Sequence, residues 1–283
     1  MLEAEAALPR ATLDADYTAR ATVTEAEFAR IMGLYQSLSD AAHGLPDTRA
    51  GLEFCRETGL QLDLFGTKPG ELRPLVVFIH GGYWRALSRA QSAFAAPMLA
   101  AKGIACAVPD YRLAPAVGIS EIIADCRRAI AYLWHNAGDL GIDRRRIVVT
   151  GSSAGGHLAA AMAQPGWQSA LGLPDQPLHG CLPVSGLFEL APLAASHVQD
   201  WMQFTPADLA QSPLRHLPQG LRGALALAAG AGESAGFHRQ TAAYAKATGW
   251  PVHEIAGRNH FDVILDLAQP ETALSRALLD LLA

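Results

Sequence analysis

The stretch RIVVTGSSAGGHLAAAMA, residues 146–163, decides how the chain is read. Residues 147–150 are all β-branched, the composition of a buried strand, and 158–163 are helix formers free of β-branching. Between them GSSAGGH sets Ser153 at the centre of a G-x-S-x-G pattern. Strand, sharp turn and helix are the context in which such a serine forms a nucleophile elbow. The glycines fit that reading, because a side chain two residues to either side of a strained strand tip would strike neighbouring backbone.

A serine hydroxyl is a weak nucleophile near neutral pH and needs a base, an orienting acid and donors for the developing oxyanion. In the chain order expected for this elbow the acid follows the serine and the histidine comes last. His260, in GRNHFDV after the strand-like PVHEIA, is the candidate base, whereas His253 lies inside that strand and reads as structural. Glu233, in GAGESAGF after ALALAAG, is the candidate acid. Its rivals are Asp200 and Asp262. HGGYW at 80–84 follows the apolar run PLVVFIH. The amides of Gly81 and Gly82, with that of Ala154, are the candidate oxyanion hole. His80 and His157 read as structural, and Asp110 as an anchor for the loop it occupies. Tyr83, Trp84, Phe188, Trp201 and Phe204 are candidates to flank a substrate, and two of the five are expected to touch it.

Around these motifs the chain alternates apolar strands and helices. The runs at 74–80, 104–110, 146–150, 179–186, 224–230 and 251–257 read as strands. Helices are expected over about 91–102, over 120–136 with Arg127 and Arg128 facing outward, after the elbow, and after Pro270 burying Leu274, Leu278, Leu281 and Leu282. Fully apolar strands alternating with helices imply an α/β fold, a mostly parallel sheet covered on both faces. Upstream, residues 1–20 read as an irregular arm. Thr24 and Glu27 form a capping box for a helix carrying Phe28, Ile31, Met32, Tyr35 and Leu38, and LQLDLFG at 60–66 reads as an outer strand. Residues 187–218 hold no clear strand and are expected to form a small cap over the strand ends. The whole reads as one domain.

Composition bounds the partners. The chain has 283 residues, half hydrophobic and 17% charged, with a formal net charge of −5. That argues against nucleic acid or an anionic membrane as partner, and no apolar run reaches the roughly 20 residues of a membrane span. Cys55, Cys106, Cys126 and Cys181 show no metal-ligand spacing and read as buried thiols. No metal or cofactor is expected. The start MLEAEAALPR is acidic where a secretion signal would be basic, so a cytoplasmic protein is expected. A homodimer is compatible with this sequence.

Taken together, HGGYW, PDYRLAP at 109–115, GSSAGGH and the late NHF resemble the α/β-hydrolase superfamily. More narrowly they are similar to the hormone-sensitive-lipase-like esterases and to the arylformamidase (kynurenine formamidase) branch. The resemblance runs from about residue 60 onward. Tyr83 stands where the lipase-like esterases carry a third glycine, which favours the formamidase branch, as do LFELAPL and SPLRHLP. Glu233 departs from the aspartate usual in formamidases. The resemblance implies a serine hydrolase acting on a small amide or ester, first an aryl formamide such as N-formylkynurenine. The alternatives are a short-chain carboxylesterase and a non-catalytic protein that binds a small ligand in the same pocket.

Overall fold

The computed structural model describes residues 2–219 and 227–282. Among these residues eight strands form one sheet: β1 (Arg49–Cys55), β2 (Leu60–Phe65), β3 (Arg73–Ile79), β4 (Ala105–Pro109), β5 (Ile142–Ser152), β6 (Gly180–Val184), β7 (Leu227–Gly230) and β8 (Val252–Ile255). Their spatial order is β1-β2-β4-β3-β5-β6-β7-β8. From β4 across to β8 every neighbouring pair is parallel; β2 runs antiparallel to both β1 and β4.

The helices are α1 (Arg10–Tyr17), α2 (Glu25–His43), α3 (Ala96–Ala101), α4 (Ile119–His135), α5 (Ala137–Leu140), α6 (Ala154–Met162), α7 (Ala191–Ala194), α8 (Gln199–Met202), α9 (Pro206–Leu209), α10 (Ala235–Thr248) and α11 (Ala273–Asp280). Strand alternation sorts the core into two layers. Leu75, Val77 and Ile79 of β3 pack in one cluster with Ile122 and Ile130 of α4 and Leu158 of α6. Val76 and Phe78 face the other way, into a cluster with Ile31 of α2, Leu99 of α3 and Leu278 of α11. This is the α/β architecture that uninterrupted apolar strands demand, since both faces of β3 are buried.

Several local expectations change. Of the irregular arm expected over residues 1–20, the described residues 2–20 are regular instead: they form a 3-10 turn at Leu2–Ala7, then α1, and a second 3-10 turn begins at Ala19. Leu13 and Tyr17, one helical turn apart, are wholly buried, and that contact holds the segment to the body. β2 is not the outer strand, because β1 pairs outside it. The helix expected over 91–102 is shorter, with Pro97 in the first turn of α3. Arg127 does not face outward but lies over the Trp167 ring at 5.4 Å, and burial lowers its guanidinium to about 10. Pro270 stands ahead of the Thr272 cap of α11 rather than in its first turn. Of the run ALALAAG, 224–226 lie outside the described residues. Of the capping box expected at α2, the N-cap half forms: the Thr24 hydroxyl accepts from Glu27 N at 3.2 Å, while the Glu27 carboxylate accepts from Asn259 Nδ2 at 3.2 Å. All four cysteines are buried and free. No helix among the described residues is long and apolar enough to cross a membrane.

Candidate active site

Ser153 stands between the tip of β5 and the start of α6, with φ 59° and ψ −119°. Few non-glycine residues adopt positive φ, so the surroundings must hold it there. Its amide donates to Val184 O at 2.9 Å, and its carbonyl accepts from His157 N at 3.0 Å. The flanking glycines are required by close approach. A Cβ on Gly151 would lie 2.4 Å from Ile79 O, and one on Gly155 would lie 2.1 Å from the same atom. The elbow is thus pressed against the end of β3, where the HGGYW turn begins.

That turn is built to keep its backbone in place. Gly82 has φ +95°, and its carbonyl accepts from the amides of Arg85 and Ala86 at 3.0 and 3.1 Å. His80 stacks on Tyr111 with ring centres 4.1 Å apart, and the Tyr111 hydroxyl donates to the carbonyls of His80 and Gly81 at 3.0 and 3.1 Å. Asp110 accepts from the Arg89 amide at 2.8 Å and also pairs with the Arg89 guanidinium. The DYRLAP segment therefore buttresses the turn through Tyr111, and Asp110 anchors its own loop, as its sequence suggested. Ala154 is the first residue of α6, where backbone N–H groups have no partner within the helix.

His260 follows β8 and is buried. Its Nδ1 lies 2.9 Å from Glu233 Oε2, the carboxylate on the loop between β7 and α10. Glu233 Oε1 accepts from Ser185 Oγ at 2.5 Å and from Gly230 N at 2.7 Å. Burial alone would raise this carboxyl, but the attraction of His260 and the hydrogen bonds from His260, Ser185 and Gly230 outweigh it and lower it. The rival carboxylates are engaged elsewhere. Asp200 is bound by Arg10 at 2.8 Å, and Asp262 accepts from Asn259 N at 2.7 Å. Ser185 escaped the sequence reading. It sits just past β6, and only the pairing of β6 with β7 brings it to Glu233. Burial lowers the imidazoles of His80 and His157 to about 4 and about 3, so both are neutral at physiological pH.

Ser153, His260, Gly81 and Gly82 line one cavity of about 440 Å³. Its walls are mostly apolar: Phe28, Met32 and Tyr35 from α2, with Phe78, Phe94 and Phe261. Tyr83 also lines it, and its hydroxyl donates to Tyr17 O. The other aromatic candidates do not reach this cavity. Trp84 is wholly buried, edge-on to His157 and Phe204. Trp201 lies under the Arg85 guanidinium at 3.8 Å, donating through Nε1 to Tyr83 O at 3.2 Å. Phe188 stacks on Tyr244 at 4.2 Å. None of residues 187–218 lines the cavity; α2, whose apolar face was legible, supplies the wall instead. Among the described residues no cluster of three His, Cys, Asp or Glu side chains is placed to hold a metal ion.

Comparison with known proteins agrees with this architecture. Residues 62–172, from β2 through the elbow, match the family model BD-FAE. A kynurenine formamidase of Salmo salar is 27% identical over 256 residues, covering 86% of this chain and 85% of its own. The structure of a candidate thioesterase from Silicibacter sp. TM1040 superposes with a TM-score of 0.80 at 27% identity, over 96% of this chain and 99% of that one. An esterase of Pyrobaculum calidifontis shares the fold, with a TM-score of 0.70 at 18% identity over 92% of each chain. The chain is a serine hydrolase with the α/β-hydrolase fold, similar to kynurenine formamidases and, in fold, to esterases.

Proposed function

We propose that the protein hydrolyses a small aryl amide, an aryl formamide of the N-formylkynurenine type, through an acyl-enzyme on Ser153. His260 takes the proton from Ser153 Oγ as the oxygen attacks the carbonyl carbon. The amides of Gly81, Gly82 and Ala154 hold the oxyanion, a contribution of about 2.7–4 kcal/mol per donor where such donors have been removed. The C–N bond breaks as His260 returns the proton to the leaving amine. Water, deprotonated by His260, then attacks the acyl carbon, formate leaves and Ser153 is restored. Glu233 fixes His260 with its proton on Nδ1 and balances the imidazolium that forms.

The observation that carries this reading is the opening of Ser153, His260, Gly81 and Gly82 onto one apolar, aromatic-walled cavity, with Glu233 buried behind His260. Aromatic walls suit an aryl leaving group, and a one-carbon acyl group needs little room beside Tyr83. The same apolar walls suit the alkyl group of a short-chain ester, which is the second reading. The four buried thiols support a reducing, cytoplasmic setting, and the apolar cavity and the net charge of −5 support a small molecule rather than nucleic acid or membrane as partner.

The test compares kcat/KM for N-formylkynurenine with that for p-nitrophenyl acetate and butyrate on one preparation. The formamide is expected to be preferred, and a preference for the esters by several orders of magnitude would replace it with the esterase reading. Ser153→Ala is expected to lower kcat by about 10³-fold or more. Full activity in that variant would remove the acyl-enzyme on Ser153, whereas no turnover of any of the three substrates by the unmodified protein would leave a ligand-binding protein.

A further inference from the structure

One fixed charge lines the cavity among its described residues. Arg20, in the 3-10 turn Ala19–Thr22, contributes to the wall beside Phe28. Its guanidinium lies 4.5 Å over the Phe28 ring. Phe28 meets Phe261 edge-on at 5.0 Å, and Phe261 meets His260 edge-on at 5.4 Å. All four residues line the same cavity, so an aromatic wall leads from the candidate base to a cation. The guanidinium is held in place by a hydrogen bond from Nη1 to Val23 O at 2.8 Å. Its other recorded partner is the carboxylate of Glu25, whose side chain is 88% exposed. A pair with so exposed a carboxylate is weak and exchangeable, and a guanidinium has five N–H groups, more than these two contacts use.

We infer that Arg20 is a carboxylate subsite. The substrate is then an aryl amide or ester whose leaving group carries a carboxylate. Its ring lies along Phe28 and Phe261, and its carboxylate replaces Glu25 on the guanidinium. Arginine suits this, since its planar fork matches a carboxylate with two parallel hydrogen bonds. The inference rests on the proposed hydrolysis at Ser153 but not on the acyl group being formyl.

Two matched substrate pairs separate these claims: formanilide against its ortho-propanoate derivative, and phenyl acetate against its ortho-propanoate derivative. In whichever pair is turned over, the carboxylated member is expected to have a kcat/KM about tenfold higher, mainly through KM. Arg20→Gln should bring that ratio close to one, Arg20→Lys should keep part of it, and Glu25→Gln should raise it by removing the competing carboxylate. A ratio near one in the unmodified protein, or one unchanged in Arg20→Gln, overturns the inference. Turnover of the esters alone, with the ratio intact, overturns the formamide reading and leaves the subsite standing. Direct binding to the unmodified protein gives an arm independent of turnover and of the variants' folding. Phenylpropanoate should bind about tenfold more tightly than phenylpropanamide, with the difference shrinking as salt is added; equal affinities overturn the subsite.

Discussion

Both oxygens of the Glu233 carboxylate are committed, Oε2 to His260 and Oε1 to Ser185 and the Gly230 amide. A hydrogen bond to a buried charged group contributes about 1.5–3 kcal/mol, so Ser185 helps fix the carboxylate that holds the candidate base. Ser185→Ala is expected to lower kcat about 10- to 100-fold with KM little changed, read from steady-state kinetics on the best substrate. An unchanged kcat would make Ser185 a packing residue only. Glu233→Gln would present an amide to His260 and disturb its tautomer, at a cost of about 10³- to 10⁴-fold in kcat. Asp262→Asn, which touches the Asn259 amide rather than His260, is expected to cost far less; the reverse order would move the acid to Asp262. Ser153, Glu233 and His260 were legible because each follows a strand-like run in a loop of distinct composition. Ser185 was not, because a lone serine after a strand has no pattern until the neighbouring strand is known. The aromatics divide similarly. Tyr83 and Trp84 are adjacent and chemically alike, yet one lines the cavity and the other is wholly buried.

The segment before α2 shows how an element can be hidden by its own brevity. α1 has only Leu13 and Tyr17 as buried anchors, set among Arg10, Asp14 and Asp16, too few to mark a periodic face. Its docking rests on specific contacts. The Tyr17 hydroxyl accepts from Gln240 Nε2 at 3.1 Å, and the ring meets Phe237, which lies against His260 at 4.1 Å. The backbone carbonyls of Asp16 and Tyr17 accept from the hydroxyls of Ser234 and Tyr83. This segment therefore spans the gap between the HGGYW turn and the helix beside His260. Tyr17→Ala is expected to cost about 3–5 kcal/mol of stability, the range for emptying a buried aromatic site, measured as a fall in urea midpoint. KM should rise as well, because Ala19 and Arg20 of the cavity wall follow directly. A midpoint shift equivalent to less than about 1 kcal/mol would show that the segment is only loosely docked. β1 was missed for a related reason: its exposed edge alternates weakly through Leu52 and Phe54, while β3, β4, β6 and the second half of β5 are apolar runs.

At the scale of the molecule, the α/β class was legible because alternating apolar runs and helices allow little else. The exchange of β3 and β4 in the sheet order was not, since it depends on which side each crossover takes rather than on any local pattern. Two buried histidines tie this architecture to pH. His80 follows β3 and His157 lies in α6, so both imidazoles are held where sheet, HGGYW turn and elbow meet. Burial keeps them neutral, with folded values of about 4 and about 3 against about 6.5 in the unfolded chain. Below about pH 6.5 the unfolded chain therefore binds protons that the folded protein refuses. Their contribution to stability is full above that pH. It falls as pH drops, until about pH 4 for His80 and about pH 3 for His157. Within that window each group steepens the loss by up to about 1.4 kcal/mol per pH unit. His157→Leu removes one of the two titrations and leaves Ser153 in place. Urea titrations at a series of pH values from 7 to 4.5 are expected to show a flatter slope for this variant, by about 1 kcal/mol per pH unit at the acid end. Parallel slopes for the two proteins would mean that His157 takes up its proton in the folded state and that burial does not hold it neutral.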